Sequence, residues 1–166
     1  EVPLDDVVVI TPTAAGMDGS RMGLSAGERL TVRDLLYGLL LPSGNDAAVA
    51  LAEHVAGSES DFVAMMNAKA RAIGLRSTQF ANSHGLDDPG QFTTALDLAV
   101  IASAAMQDVE LAGIVAEPSA TVAGRALTNT NELLTTYEGA EGVKTGTTDE
   151  AGECLVAAVS RESRTI

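Results

Sequence analysis

Residues 31–57 read TVRDLLYGLLLPSGNDAAVALAEHVAG, two apolar helical segments separated by one proline. Thr31 suits an N-cap, with Asp34 three residues on to complete the cap. VRDLLYGLLL then carries apolar residues on most faces, the pattern of a buried helix. Pro42 stops it, because a proline lacks the N–H of the helical ladder and crowds the preceding turn. Ser43-Gly44-Asn45 makes the turn. A second helix runs from Asp46 to Gly57, where glycine takes the left-handed cap. Two buried helices joined this tightly need other layers around them.

The rest of the chain supplies candidates for those layers. DDVVVI is a short β-branched run that predicts a strand. GMDGSRMGLSAGERL suits a loop or short hairpin arms. ESDFVAMMNAKARAI predicts a third helix ending at Gly74, with Met65 and Met66 at core-like spacing. NSHGLDDPGQFT is a loop. Thr94 caps a fourth helix reaching to about Met106, with Asp97 at its third position, and a short helical turn fits Val109–Val115. After Glu117, SATVAGRALTN alternates like a hairpin around Ala123-Gly124. GVKTGTT and ECLVAAVSRE read as two strands joined by the polar turn Thr148–Gly152. The order predicts an α+β (mixed α/β) single domain.

Hydrophobic residues form 46% of the sequence but aromatic ones only 3%, so Ala, Leu and Val must build the core. The net charge of −13 argues against nucleic acid or an anionic membrane surface as partner. The single cysteine, Cys154, excludes an internal disulfide and a Cys-rich zinc site, and its apolar run CLVAAV predicts packing. His54 and His84 are far apart and lack ligand spacing, so no metal site is expected. No signal peptide is recognisable, and no apolar run approaches the length of a membrane-spanning helix.

Lys144 is one of two lysines in the chain, and it lies in EGVKTGTT between an apolar approach and small hydroxyl residues. Such a stretch predicts a strand edge that meets a small ligand. Alone, Ser43-Gly44-Asn45 is the composition of any helix-linking turn, and Lys144 that of a strand-edge gatekeeper. Together, in this order and on these elements, they match the second and third motifs of serine acyl-transferases of the penicillin-binding type.

The stretches ERLTVRDLLYGLLLPSGNDAAVALAEHVAGS, FVAMMNAKA, HGLDDPGQFTTALDLA, TNTNELL and EGVKTGTTDEAGECLVA extend the likeness over nearly the whole chain. The sequence resembles the low-molecular-mass D-alanyl-D-alanine carboxypeptidases, serine peptidases that trim peptidoglycan stem peptides. The resemblance implies a β-lactamase/transpeptidase-like fold, no cofactor, an extracytoplasmic location, and D-Ala-D-Ala stem peptides and β-lactams as ligands. It implies Ser43 as a proton-shuttling hydroxyl, Asn45 as the holder of the substrate amide carbonyl, and Lys144 as the source of positive field. Thr145 would donate to the substrate carboxylate, Gly146 would let the substrate lie along the strand, and the Thr147 N–H would serve the oxyanion hole. His84 in the loop is expected to bond that loop. Thr130 stands where some relatives carry an arginine.

The family's nucleophile lies in an S-x-x-K motif, and none occurs here: the residues three before Lys69 and Lys144 are Met66 and Glu141. The chain therefore reads as a partial domain, 1–166, with the nucleophile segment expected upstream and a closing strand and helix downstream. On that reading it is inactive alone, and the strand near Cys154–Val159 has an open edge that another copy could cover. Two alternatives remain at this level: a non-catalytic module that binds D-Ala peptides or β-lactams, and a serine β-lactamase-like hydrolase.

Overall fold

The β-branched run near the start forms β1 (Val7–Val9), and Val8 is buried between exposed neighbours. This alternation is the period of a strand with one face on a core. The computed structural model describes residues 2–161 and 164–165. Thr11 then caps α1 (Pro12–Ala15), accepting the Ala14 N–H at 3.0 Å, with proline in the first turn. The sequence reading did not anticipate this short helix. One arm expected in the glycine-rich stretch is β2 (Arg29–Thr31), antiparallel to β1 with Leu30 opposite Val8.

Thr31 ends β2 and also caps α2 (Val32–Leu40), where Thr31 and Asp34 form the expected capping box. Beyond the Pro42 turn, α3 (Asn45–Ala56) is buried at every position from Asn45 to Ala52 and ends on Gly57 at φ 82°. It is the central helix of the described chain. Its small side chains explain the composition, since alanines let neighbouring elements approach closely. Val8, Ile10, Ala14, Leu35 and Leu41 pack with its Val49 in one core, extended by Ile114 and Leu127. Each fully buried Leu, Ile or Val there contributes roughly 1.5–3 kcal/mol relative to exposure.

Ser58 caps α4 (Glu59–Ala72), Thr94 caps α5 (Ala95–Ala105) and Asp108 caps α6 (Val109–Val115). The expected hairpin is β3 (Ser119–Val122) and β4 (Arg125–Thr128), turning through Ala123 and Gly124, both at positive φ. That geometry matches the twist of two paired strands. After α7 (Leu133–Thr136), β5 (Ala140–Thr148) pairs antiparallel with β6 (Gly152–Arg161). β7 (Arg164–Thr165) joins β6 only at Ser160 and Arg161. Among the described residues, β6 from Glu153 to Val159 is therefore paired on its β5 side alone.

Some packing expectations fail. Cys154 is exposed rather than packed, and Met65 is 51% exposed. α5 has no buried residue although nearly all of its side chains are apolar, and Leu96 is 73% exposed. The physical reason is shared: periodicity or an apolar run marks a segment as fit for burial, but among the described residues these side chains are left largely uncovered.

Candidate active site

Ser43 sits in the left-handed region at φ 62°, which a non-glycine residue rarely adopts. Such a conformation costs on the order of 1–3 kcal/mol and persists only where surrounding contacts dictate it. Here they do. The Gly44 N–H donates to the Gly38 carbonyl at 2.9 Å, and the Asn45 N–H donates to the Ser20 carbonyl at 2.8 Å. Among the described residues the half-buried Ser43 hydroxyl has no hydrogen-bond partner.

The next residue, Asp46, is wholly buried and carries the anchoring. Its Oδ1 accepts the N–H groups of Met22 at 2.8 Å and Ala47 at 2.9 Å. Its Oδ2 accepts those of Gly23 at 2.9 Å and Leu24 at 3.0 Å. A buried carboxylate is tolerated only when so satisfied. Asn45, 5% exposed, donates from Nδ2 to the Asp18 carbonyl at 2.7 Å. Thus the loop from Asp18 to Leu24 is strapped across the turn. Space is tight as well: a Cβ on Gly44 would lie 2.7 Å from the Gly38 carbonyl oxygen and 2.9 Å from the Met22 nitrogen.

Lys144 and Thr145 lie half-buried in β5, and Gly146 and Thr147 are exposed. The Lys144 ammonium donates to the Thr145 carbonyl at 2.9 Å and makes no ion pair among the described residues. Burial pushes its pKa down to about 8. In a chain of such acidity, a desolvated cation without a carboxylate partner among the described residues is unusual. A Cβ on Gly146 would meet nothing within 4 Å, so the strand surface beyond Lys144 is open.

The turn and the strand are tied together by Thr130. Its N–H donates to the Leu41 carbonyl at 3.1 Å, two residues before Ser43. Its Oγ1 lies 2.5 Å from the Thr145 Oγ1. Asn129 and Asn131, on either side, are buried, and the Asn129 Oδ1 accepts the Asn131 N–H at 3.0 Å. The loop after α4 meets the turn that follows β5, where the Glu150 N–H donates to Asp87 Oδ2 at 3.2 Å. Within that loop the Leu86 N–H donates to His84 Nδ1 at 3.3 Å, in keeping with a loop-bonding histidine.

Sequence reasoning named the turn and the strand but missed Asp46 and Thr130 as their anchors. A signal for Asp46 was present, because an aspartate opening the all-buried run DAAVALA must find donors. Thr130 is marked in the sequence only as standing beside Asn131, where some relatives carry an arginine, and nothing there points to a bond with Thr145. A shallow concavity of about 380 Å³ lined by Glu138, Gly139, Ser160 and Arg161 lies towards the other end of β5, and lacks Lys144 from its walls.

The helical core, the antiparallel sheet and the paired SGN and KTG segments define a serine acyl-transferase fold of the penicillin-binding and β-lactamase type. A Streptomyces DD-transpeptidase superposes with a TM-score of 0.92 at 36% identity, over 99% of this chain and 70% of that one. A D-alanyl-D-alanine carboxypeptidase structure from Mycobacterium tuberculosis superposes at 0.94 with 42% identity, over 99% and 64%. The family model described as D-alanyl-D-alanine carboxypeptidase matches residues 1–166, and the chain belongs to that family. The D-alanyl-D-alanine carboxypeptidase DacF of Bacillus subtilis is 37% identical over 97% of this chain. DacC of Escherichia coli is 40% identical, also over 97%. The chain spans 43% and 42% of the lengths of these two relatives.

Proposed function

We propose that this chain is the substrate-binding and proton-transfer part of a serine-type D-Ala-D-Ala carboxypeptidase, which moves an acyl group from a stem peptide to water. The observation that supports this most is Lys144: a half-buried ammonium that has no acidic partner among the described residues, on a strand whose surface is open at Gly146. That arrangement suits a small ligand that brings its own negative charge, such as a peptide C-terminus. Lys144 supplies the field and Thr145 a hydroxyl donor to the carboxylate. Gly146 leaves room for the peptide to add as a strand, and the Thr147 N–H serves the oxyanion hole. Asn45 retains one N–H on Nδ2 beyond its bond to Asp18, and this donor holds the substrate amide carbonyl. The Ser43 hydroxyl, which has no partner among the described residues, carries a proton to the leaving amine.

The acyl-enzyme step requires a nucleophile outside these 166 residues, since none of their serines stands in S-x-x-K. On this reading residues 1–166 are part of a single catalytic domain, β-lactams acylate the full-length protein, and the site works outside the cytoplasm on peptidoglycan. The exposed faces of α5 and β6 are covered in the assembled protein, by the rest of the domain or by a second copy. Neither sequence-level alternative is favoured by the relatives, which by name are carboxypeptidases and a transpeptidase.

The test compares two proteins. The full-length gene product should release D-alanine from a D-Ala-D-Ala peptide and be labelled covalently by a fluorescent penicillin. The 166-residue chain should do neither, because removing a serine nucleophile costs about 10⁶ in turnover. Full-length protein that binds the peptide without releasing D-alanine would favour the binding-module alternative. Labelling of the short chain, mapped to one of its serines, would overturn the assignment of the nucleophile.

A further inference from the structure

Thr145 has one hydroxyl proton, and Thr130 stands 2.5 Å from its oxygen. Either hydroxyl can donate in that pair. A ligand carboxylate changes this, because an ionised carboxylate only accepts. For Thr145 to donate to it, the Thr145 oxygen must take its own hydrogen bond from Thr130. We infer that Thr130 is a positioning residue, which donates to Thr145 and thereby commits the Thr145 proton to a carboxylate-bearing ligand. This rests on the functional reading above, in which Thr145 meets the substrate carboxylate.

The surroundings of Thr130 favour that direction. The Leu41 carbonyl already accepts the Thr130 N–H at 3.1 Å, and the Thr130 hydroxyl lies 3.5 Å from the same oxygen, at the outer limit of a bond. The better acceptor for the hydroxyl proton is therefore Thr145. The main chain of Thr130 is fixed from both sides, by the N–H bond to Leu41 and by buried Asn129 and Asn131. The hydroxyl is thus held in place before any ligand arrives. Two hydroxyls in series also polarise each other, so the last donor in the chain is strengthened. Lys144 bonds the Thr145 backbone carbonyl instead, which leaves the hydroxyl chain free of competition from the ammonium.

Thr130 is exposed, so its variants should fold. In the full-length protein, Thr130→Val removes the hydroxyl at nearly constant shape and Thr130→Ser restores it. Losing a charge-assisted donor of this kind should raise KM for a D-Ala-D-Ala peptide about tenfold, with kcat within about twofold. Thr130→Ser should stay near wild type. Because Thr130 acts through Thr145, Thr130→Val should add nothing in a Thr145→Val background. Wild type should bind N-acetyl-D-Ala-D-Ala more tightly than its C-terminal amide, and Thr130→Val should lose most of that preference. An active wild type with an unchanged Thr130→Val variant, additive effects of the two valines, or equal losses for acid and amide would overturn the inference. An inactive wild type would instead overturn the functional reading, and the acid-over-amide binding comparison would still decide the role of Thr130.

Discussion

The Asp46 carboxylate accepts the backbone N–H of Met22 at 2.8 Å, joining the first turn of α3 to a loop distant in sequence. Gly23 and Leu24 add two further N–H bonds to the same side chain. Replacing Asp46 by Ala leaves the buried N–H groups of Met22 and Leu24 unpaired, and each unpaired buried donor costs about 1–3 kcal/mol. The variant should lose roughly 3 kcal/mol or more in urea unfolding, and amide exchange at Met22, Gly23 and Leu24 should accelerate first. Asp46→Asn should fall between, since it keeps one oxygen but turns an N–H₂ towards other donors. A loss under about 1 kcal/mol for the alanine variant would show that the strap does not depend on this carboxylate.

Gly44 and Gly113 make a matched pair for a second experiment. Gly44 has an ordinary φ of −67°, so backbone freedom does not explain it. Sterics do, because a Cβ there would collide with the Gly38 carbonyl oxygen, the Met22 nitrogen and Asp46 Oδ1. A Cβ on Gly113, exposed in α6, would meet nothing within 4 Å. Gly113→Ala should stabilise by about 0.5–1 kcal/mol through helix propensity. Gly44→Ala should destabilise by more than that and weaken binding of a β-lactam to the full-length protein. Equal melting-temperature changes for the two variants would contradict the close packing of the turn.

Helices and strands were legible because their signals are local. Pro42 ends α2, Thr31 and Thr94 cap their helices, and Ala123-Gly124 turns a hairpin, each through the chemistry of one or two residues. The turn and strand of the site were legible as motifs for the same reason. Burial was harder. Met65 and Cys154 have sequence contexts that predict packing, yet whether a face is covered depends on elements elsewhere. The anchoring of the site was least legible, because Asp46 and Thr130 act by bonding backbone and side chains far away in sequence. α1 escaped notice because a single turn offers no periodicity to read.

Ser43 offers a test of whether the left-handed backbone is a cost carried for function. Glycine is the residue that takes φ 62° without strain, whereas alanine keeps the strain and loses only the hydroxyl. Ser43→Gly should therefore be more stable than Ser43→Ala by about 1 kcal/mol, measured as urea midpoints. Both variants should lose turnover together in the full-length protein, since both lack the hydroxyl. If the glycine variant unfolds at lower urea than the alanine variant, the turn is not strained at this position.

The last prediction concerns pH and Lys144, whose pKa falls from 10.5 to about 8 because the ammonium is buried. The unfolded chain holds this proton up to its ordinary pKa, so between about 8 and 10.5 the unfolded state binds more protons than the folded one. Stability contributed through this group therefore rises with pH across that window. Below it, both states are protonated and the folded state carries the full desolvation cost. Above it, both are neutral and the cost has gone. Lys144→Met lacks the cost throughout, so its stability advantage over wild type should be greatest near neutral pH and shrink as pH approaches 10.5. Binding of an anionic ligand should run the other way. A carboxylate needs the ammonium, so affinity should fall as pH rises through about 8 in wild type. In Lys144→Arg, whose guanidinium stays charged, that fall should vanish even if geometry weakens binding overall. Measuring Kd for N-acetyl-D-Ala-D-Ala from pH 6.5 to 9.5 in both proteins (a range of roughly 1.5 units to either side of the inflection) checks this directly. A wild-type affinity that stays flat across the range, or an arginine variant that falls in parallel, would remove Lys144 from the carboxylate site.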